Sequence, residues 1–133
     1  MKLAPISAQA GIVGFESPAS QYTQSSLSLD ELLIDHPSAT YFASVDGDSM
    51  IEAGIFSGDI LIVSRSTQIK NMSIIVANLN GVFVCKYLDK ENRRLLSAND
   101  DFSPHLISEG DEFQIEGVVT RSIRMHVPLK KSL

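Results

Sequence analysis

Hydrophobic and polar residues follow three successive patterns along the chain. Residues 1–27 are rich in Ser, Ala, Gln and Gly and show neither helical nor strand periodicity, which is typical of a flexible arm. The run 28–31 (Ser-Leu-Asp-Glu) has the spacing of a capping box, and the leucines around it predict a short helix over about 29–35, closed by Pro37. From Thr40 onward, short β-branched and aromatic runs alternate with turn-forming residues, which predicts strands.

The third pattern predicts an antiparallel β domain. Asn80 and Gly81 separate two apolar runs and indicate a two-residue hairpin turn, because both central residues of a type I′ turn need positive φ. A second hairpin is expected to turn through residues 89–93. The predicted strands are Thr40–Val45, Asp59–Ser64, Ser73–Leu79, Val82–Leu88, Arg94–Ser97, Phe113–Val119 and Ser122–Val127. The predicted fold class is therefore mostly β: a compact antiparallel β-barrel or sandwich-like domain at 28–133, with a short helix and an extended N-terminal arm at 1–27.

The amino-acid composition and net charge exclude several classes of function. The 133 residues fit one domain, and a formal net charge of -5 produces a field that repels phosphate backbones. Direct binding to DNA, sequence-specific or not, is therefore not expected. The single cysteine, Cys85, excludes an internal disulfide and suits a reducing cytoplasm. The apolar stretches are too short for a membrane span or a secretory signal, so a cytoplasmic location is expected.

Lys86 stands out within a predicted strand. Strand alternation places it on the same face as Val84 and Leu88, and the opposite face of this run is also apolar. An ammonium group there loses water, which lowers the pKa of a lysine toward the range useful to a general base. The strand by itself leaves a second interpretation open, in which the amino group reaches the rim of the sheet.

Ser49 follows a Gly-Asp turn at the end of a predicted strand. A hydroxyl at such a junction lies beside unpaired backbone amides, and those of Asp48 and Ser49 are candidates for an oxyanion hole. The same residue types also form ordinary turns and helix caps, so this segment alone does not identify a nucleophile. Asp46, Asp48 and Asp59 lack the spacing of a calcium loop, and no metal or other cofactor is expected.

Both candidate residues lie within a series of motifs that extends from about Gly14 to Val119. The motifs are Gly14-Phe15, Ser17-Pro18-Ala19, Leu29 to Ile34, His36 to Phe42, Gly47-Asp48-Ser49-Met50, Gly58 to Val63, Phe83-Val84-Cys85-Lys86 and Ser103-Pro104. Their types and order resemble the LexA/UmuD family of serine/lysine self-cleaving peptidases, most closely its UmuD branch. The resemblance implies that Ser49 is the nucleophile and Lys86 the general base.

The resemblance also implies a substrate, which is the chain's own arm. Alignment through Gly14-Phe15 favours cleavage between Val13 and Gly14. Family members usually carry Ala or Cys before the glycine, so the bond between Ala10 and Gly11 stays open as an alternative.

Partners follow from the same resemblance. A RecA filament on single-stranded DNA would stimulate cleavage during the bacterial SOS response. The trimmed chain, a homodimer, would then join an error-prone translesion DNA polymerase of the UmuC type. Because only about 27 residues precede the first predicted helix, the N-terminal DNA-binding domain of LexA-type repressors is not expected.

Two other function classes stay open. The first is a non-enzymatic module that binds a polymerase or recombinase and carries Ser49 and Lys86 as vestiges. The second is a signal-peptidase-like enzyme acting on other chains, which would ordinarily need a membrane anchor that this sequence is not predicted to contain.

Overall fold

The computed structural model describes residues 28–133. The chain divides into two units, of which the first ends at Asp35 and the second runs from His36 to Leu133. The predicted arm, residues 1–27, lies outside the described residues.

Helix α1, Leu29–Leu33, is the α-helix of the described part of the chain. Ser28 caps it by accepting a hydrogen bond from the Asp30 amide at 3.1 Å. The helix is two residues shorter than predicted, because Ile34 adopts an extended backbone with φ of -118°. Helical geometry is disfavoured for His36, the residue directly before Pro37, so the helix could not have continued into the proline.

Seven strands and two short 3-10 helices, Pro37–Ala39 and Ile51–Ala53, make up the second unit. The strands are β1 Thr40–Ser44, β2 Ile60–Ser64, β3 Ser73–Leu79, β4 Val82–Asp89, β5 Arg94–Leu96, β6 His105–Leu106 and β7 Phe113–Ile123. They form one antiparallel sheet in the order β1-β2-β7-β3-β4-β5-β6. This confirms the predicted mostly β, antiparallel fold class. The sheet is open between β1 and β6, so it is not a closed barrel and is compatible with a sandwich-like domain.

The hairpin turn predicted at Asn80 and Gly81 is confirmed. Their φ angles are 53° and 85°, and β3 pairs with β4 from Ser73 opposite Leu88 to Leu79 opposite Val82. Positive φ at both central residues matches the right-handed twist of the two strands.

The C-terminal strands differ from the prediction. The structure has one strand, β7, which runs without interruption from Phe113 to Ile123. The prediction of two separate strands, Phe113–Val119 and Ser122–Val127, is therefore wrong. Its first part pairs with β3 and its second part with β2, with irregular register at both pairings. The two-residue strand β6 was not predicted, since two residues carry no periodicity.

Apolar residues cover both sides of the β3–β4 hairpin. Cys85 and Tyr87 pack against one core cluster, which includes Val76, whereas Val84 packs against a second cluster that includes Leu88. The central part of β4 is therefore partly shielded from water, and a charged side chain there loses part of its hydration.

Candidate active site

Ser49 lies in the loop between β1 and the 3-10 helix Ile51–Ala53. Gly47 turns the chain with φ of 98°, a region that glycine enters without steric cost. Met50, which directly follows Ser49, is 2% exposed and packs in the core cluster with Leu61. Burial of Met50 fixes the loop to the domain, so the partly buried Ser49 has a defined position at the surface.

Lys86 lies in the middle of β4, opposite Ile75 of β3. Its Nζ lies 5.1 Å from the centroid of the Phe102 ring. Burial lowers the pKa of Lys86 below the ordinary value of lysine, while the neighbouring Cys85 opposes this shift. A larger fraction of Lys86 is therefore the neutral amine, the form that accepts a proton.

One cavity of about 240 Å³ brings Ser49 and Lys86 together. Its apolar walls include Ala43 of β1, Leu61 of β2 and Val76 of β3. Ser49 and Lys86 thus line the same cavity, although 36 residues separate them in the sequence. A serine nucleophile and its lysine base must belong to one site, and the shared cavity meets that condition.

The two groups are not hydrogen-bonded to each other in this structure. Within residues 28–133, Lys86 Nζ donates to Ser97 Oγ at 2.6 Å, and Ser49 Oγ has no hydrogen-bond partner. Catalytic hydrogen bonds often form only when substrate is bound. Direct proton transfer between them therefore requires a shift of either side chain within the cavity.

The backbone amides of Asp48 and Ser49 are unpaired donors, since no hydrogen bond in the described part of the chain uses either N–H. The Asp48 carbonyl, by contrast, accepts from Asn99 Nδ2 at 2.9 Å. This carbonyl and the Ser49 N–H belong to one planar peptide group, so the contact with Asn99 also fixes the direction of that N–H. The candidate oxyanion hole has two free donors beside the candidate nucleophile.

The remaining predicted site residues are distributed as follows. Both candidate cleavage bonds, Val13–Gly14 and Ala10–Gly11, lie outside the described residues. Asp59 forms an ion pair with Arg124, in which Arg124 Nε lies 3.2 Å from Asp59 Oδ1. This side-chain contact holds the pKa of Asp59 below its usual value.

From residue 28 onward, no group of three His, Cys, Asp or Glu residues is arranged to hold a metal ion. Over the same range, no helix is long and apolar enough to cross a membrane.

Cys85 gives a prediction that does not depend on catalysis. Burial raises the pKa of its thiol to about 11, and Lys86 opposes this shift. Each pKa unit lowers the thiolate fraction about tenfold, so at pH 8 iodoacetamide should alkylate the folded protein at least tenfold more slowly than the urea-unfolded protein. Intact mass against time measures both rates. Equal rates would contradict the burial of this thiol.

The sequence patterns did not predict that two further residues, Ser97 and Asn99, belong to the site. Both are small polar residues after a strand, which is common in turns and carries no sign of a role in a site. The signal that could have identified Ser97 is the register of the β4–β5 hairpin, in which Tyr87 lies opposite Leu96. Continuing that register by one residue places Ser97 opposite Lys86.

In this antiparallel β domain a serine and a lysine line one cavity, and the serine's own backbone amide is a free donor. These features define a candidate active site of the serine/lysine peptidase class. Residues 5–120 match the Peptidase S24-like family, and the chain therefore belongs to this family.

Individual relatives agree with this assignment. Protein MucA of Salmonella typhimurium is 42% identical over 115 residues, which cover 85% of this chain and 79% of MucA. Protein SamA of Salmonella typhimurium strain LT2 is 38% identical over 120 residues, covering 90% of this chain and 84% of SamA. The LexA repressor of Bordetella avium is 38% identical over 120 residues, covering 87% of this chain and 56% of the repressor. The predicted resemblance to the LexA/UmuD family is confirmed.

Proposed function

We propose that this chain is a self-cleaving serine endopeptidase of the bacterial SOS response, with Ser49 as nucleophile and Lys86 as general base. The observation that carries the proposal is the shared cavity, which is lined both by the partly buried Ser49 and by the half-buried Lys86 with its lowered pKa. Membership of the Peptidase S24-like family supports the same chemistry.

The reaction begins when Ser49 Oγ attacks the carbonyl carbon of the scissile peptide bond. Its proton passes to the neutral Nζ of Lys86, and the carbonyl oxygen becomes an oxyanion that accepts from the N–H groups of Asp48 and Ser49. The C–N bond then breaks as the Lys86 ammonium gives its proton to the leaving amine. Water hydrolyses the resulting ester, with Lys86 again accepting and returning the proton.

The substrate of this reaction is the N-terminal arm of the chain itself. Tethering replaces a bimolecular encounter by a local one, and effective molarities for well-oriented groups reach about 10⁵ M or more. A dyad of modest intrinsic reactivity is then sufficient. The bond between Val13 and Gly14 is the proposed cleavage site, with Ala10–Gly11 as the alternative.

The similarity to the UmuD branch supports a set of partners in the bacterial cytoplasm. A RecA filament on single-stranded DNA stimulates cleavage, and the trimmed homodimer joins a UmuC-type polymerase for error-prone translesion synthesis. Light scattering during size-exclusion chromatography tests the dimer, because a monomer mass at micromolar concentration would remove it from the proposal.

Intact mass spectrometry of the purified chain between about pH 7 and 10.5 tests self-cleavage, with Ser49→Ala as the matched control. Lys86 must be neutral, so the cleavage rate should rise about tenfold per pH unit below its pKa and level off above it. Because burial lowers this pKa, the midpoint of the profile should lie below the ordinary lysine value of about 10.4. A product that begins at Gly14 identifies the proposed bond, and one that begins at Gly11 identifies the alternative.

The same incubation with an activated RecA filament at neutral pH should accelerate cleavage of the wild type and leave Ser49→Ala intact. A wild type that stays intact under both conditions would contradict the enzyme. Such a result would instead favour a non-enzymatic binding module.

A further inference from the structure

The segment from Ser97 to Asn99 contacts both halves of the candidate site. Ser97 accepts the hydrogen bond of Lys86, and Asn99 donates to the carbonyl of Asp48. Between them, the Ala98 amide lies 3.3 Å from Met50 Sδ. The segment thus joins the strand that carries Lys86 to the loop that carries Ser49.

Ser97 is placed by the β4–β5 hairpin. Asp89 and Arg94 form the last pair of this hairpin, with Arg94 Nε 2.8 Å from Asp89 Oδ2, and Asp89 also accepts from the side chain of Asn92. These contacts fix the turn and therefore the register of β5 against β4. Ser97, directly after β5, consequently lies beside Lys86 with its hydroxyl oxygen 2.6 Å from Nζ.

We propose that Ser97 is a positioning residue, which orients the Lys86 amine and stabilises the ammonium formed when Ser49 loses its proton. This inference rests on the proposed function of Ser49 and Lys86. A neutral amine has two N–H bonds and one lone pair. Donation of one N–H to Ser97 restricts rotation about the Cε–Nζ bond of Lys86. The nitrogen lone pair therefore has fewer orientations within the cavity that Ser49 lines.

The contact becomes stronger during the reaction. When Nζ takes the proton of Ser49, the same hydrogen bond joins a cation to the Ser97 oxygen, and hydrogen bonds with an ionised partner are roughly twice as strong as neutral ones. The hydroxyl of Ser97 therefore favours the transition state over the resting state, which is the condition for a contribution to rate. Without it, the ammonium is less favoured and Lys86 should lose its proton at lower pH.

Thr and Val at position 97 form a matched pair, because they have nearly the same shape and differ in the hydroxyl group. Ser97→Thr should retain the wild-type profile of self-cleavage against pH. Ser97→Val and Ser97→Ala should lower the plateau rate about tenfold, the value of one hydrogen bond to a charged group, and move the midpoint to lower pH. The smaller Ser97→Ala needs no additional space, so it serves if Ser97→Val does not fold.

A loss of packing alone would lower the plateau without moving the midpoint, so the midpoint is the deciding measurement. Equal plateaus and midpoints for the Thr, Val and Ala variants would overturn the role of Ser97 while leaving the dyad intact. A wild type that stays uncut would overturn the proposed function instead.

If the wild type stays uncut, ¹³C NMR titration of the lysine Cε resonances still tests the hydrogen bond between Lys86 and Ser97. The Lys86 resonance is assigned from its loss in Lys86→Ala. A lower titration midpoint in Ser97→Ala than in Ser97→Thr would support the hydrogen bond to the ammonium. Identical midpoints would overturn it.

Discussion

Lys86→Met should leave the N-terminal arm uncut at every pH from about 7 to 10.5, with cleavage at least about 10³-fold slower than in the wild type. Methionine retains an unbranched apolar chain but has no amine, so Ser49 would lose the proton acceptor proposed for it. Lys86 is half-buried beside apolar residues, and a methionine there requires no hydration. Loss of cleavage should therefore occur without loss of thermal stability, which a melting curve checks.

Lys86→Arg separates the charge of the lysine from its basicity. Arginine retains the positive charge but stays protonated throughout this pH range, so this variant should be as inactive as Lys86→Met. Lys90→Met is the matched control, because Lys90 is exposed just after β4 and lines no part of the cavity. Cleavage by Lys86→Met at more than a tenth of the wild-type rate would show that another group is the base.

Gly117→Ala should lower the free energy of unfolding by about 2–3 kcal/mol, as overpacking of a core does. Gly117 is buried in β7, opposite Val76 of β3. A Cβ atom at this position would lie 2.6 Å from Val63 Cγ1 and 2.9 Å from the Ser64 carbonyl oxygen. Val63 is fully buried and Ser64 O belongs to a paired strand, so neither can move away without disturbing β2.

Gly110→Ala is the control for this substitution, since a Cβ atom there would meet nothing within 4 Å. Its effect on unfolding should stay within about 0.5 kcal/mol. Urea denaturation followed by circular dichroism measures both variants. If Gly117→Ala were as stable as Gly110→Ala, the close approach of β7 to β2 would be wrong.

Local sequence signals predicted the β3–β4 hairpin well. Asn80 and Gly81 adopt the positive φ angles that their turn requires, and β3 has the predicted bounds Ser73–Leu79. The prediction failed at β7, where Thr120 and Arg121 interrupt the apolar pattern and suggested a break. That strand continues because it changes partner from β3 to β2, and a pairing between residues distant in sequence leaves no local pattern.

The residue types of the candidate site could be predicted from local patterns in the chain. A lysine in an apolar strand and a serine after a Gly-Asp turn are visible as patterns, and the motifs around them identify the family. Alternation along β4 also predicted an environment poor in water around Lys86, which agrees with the direction of its pKa shift.

The contacts between these residues, by contrast, follow from the folded arrangement of the strands. The shared cavity depends on β1 and β2 lying at one part of the sheet while β3 and β4 lie at another, with β7 between them. The contact of Ser97 with Lys86 depends on hairpin register, and that of Asn99 with Asp48 joins residues 51 positions apart. Residue types and their alternation are local properties of a chain, whereas distances between side chains follow from strand order and register, which long-range packing fixes.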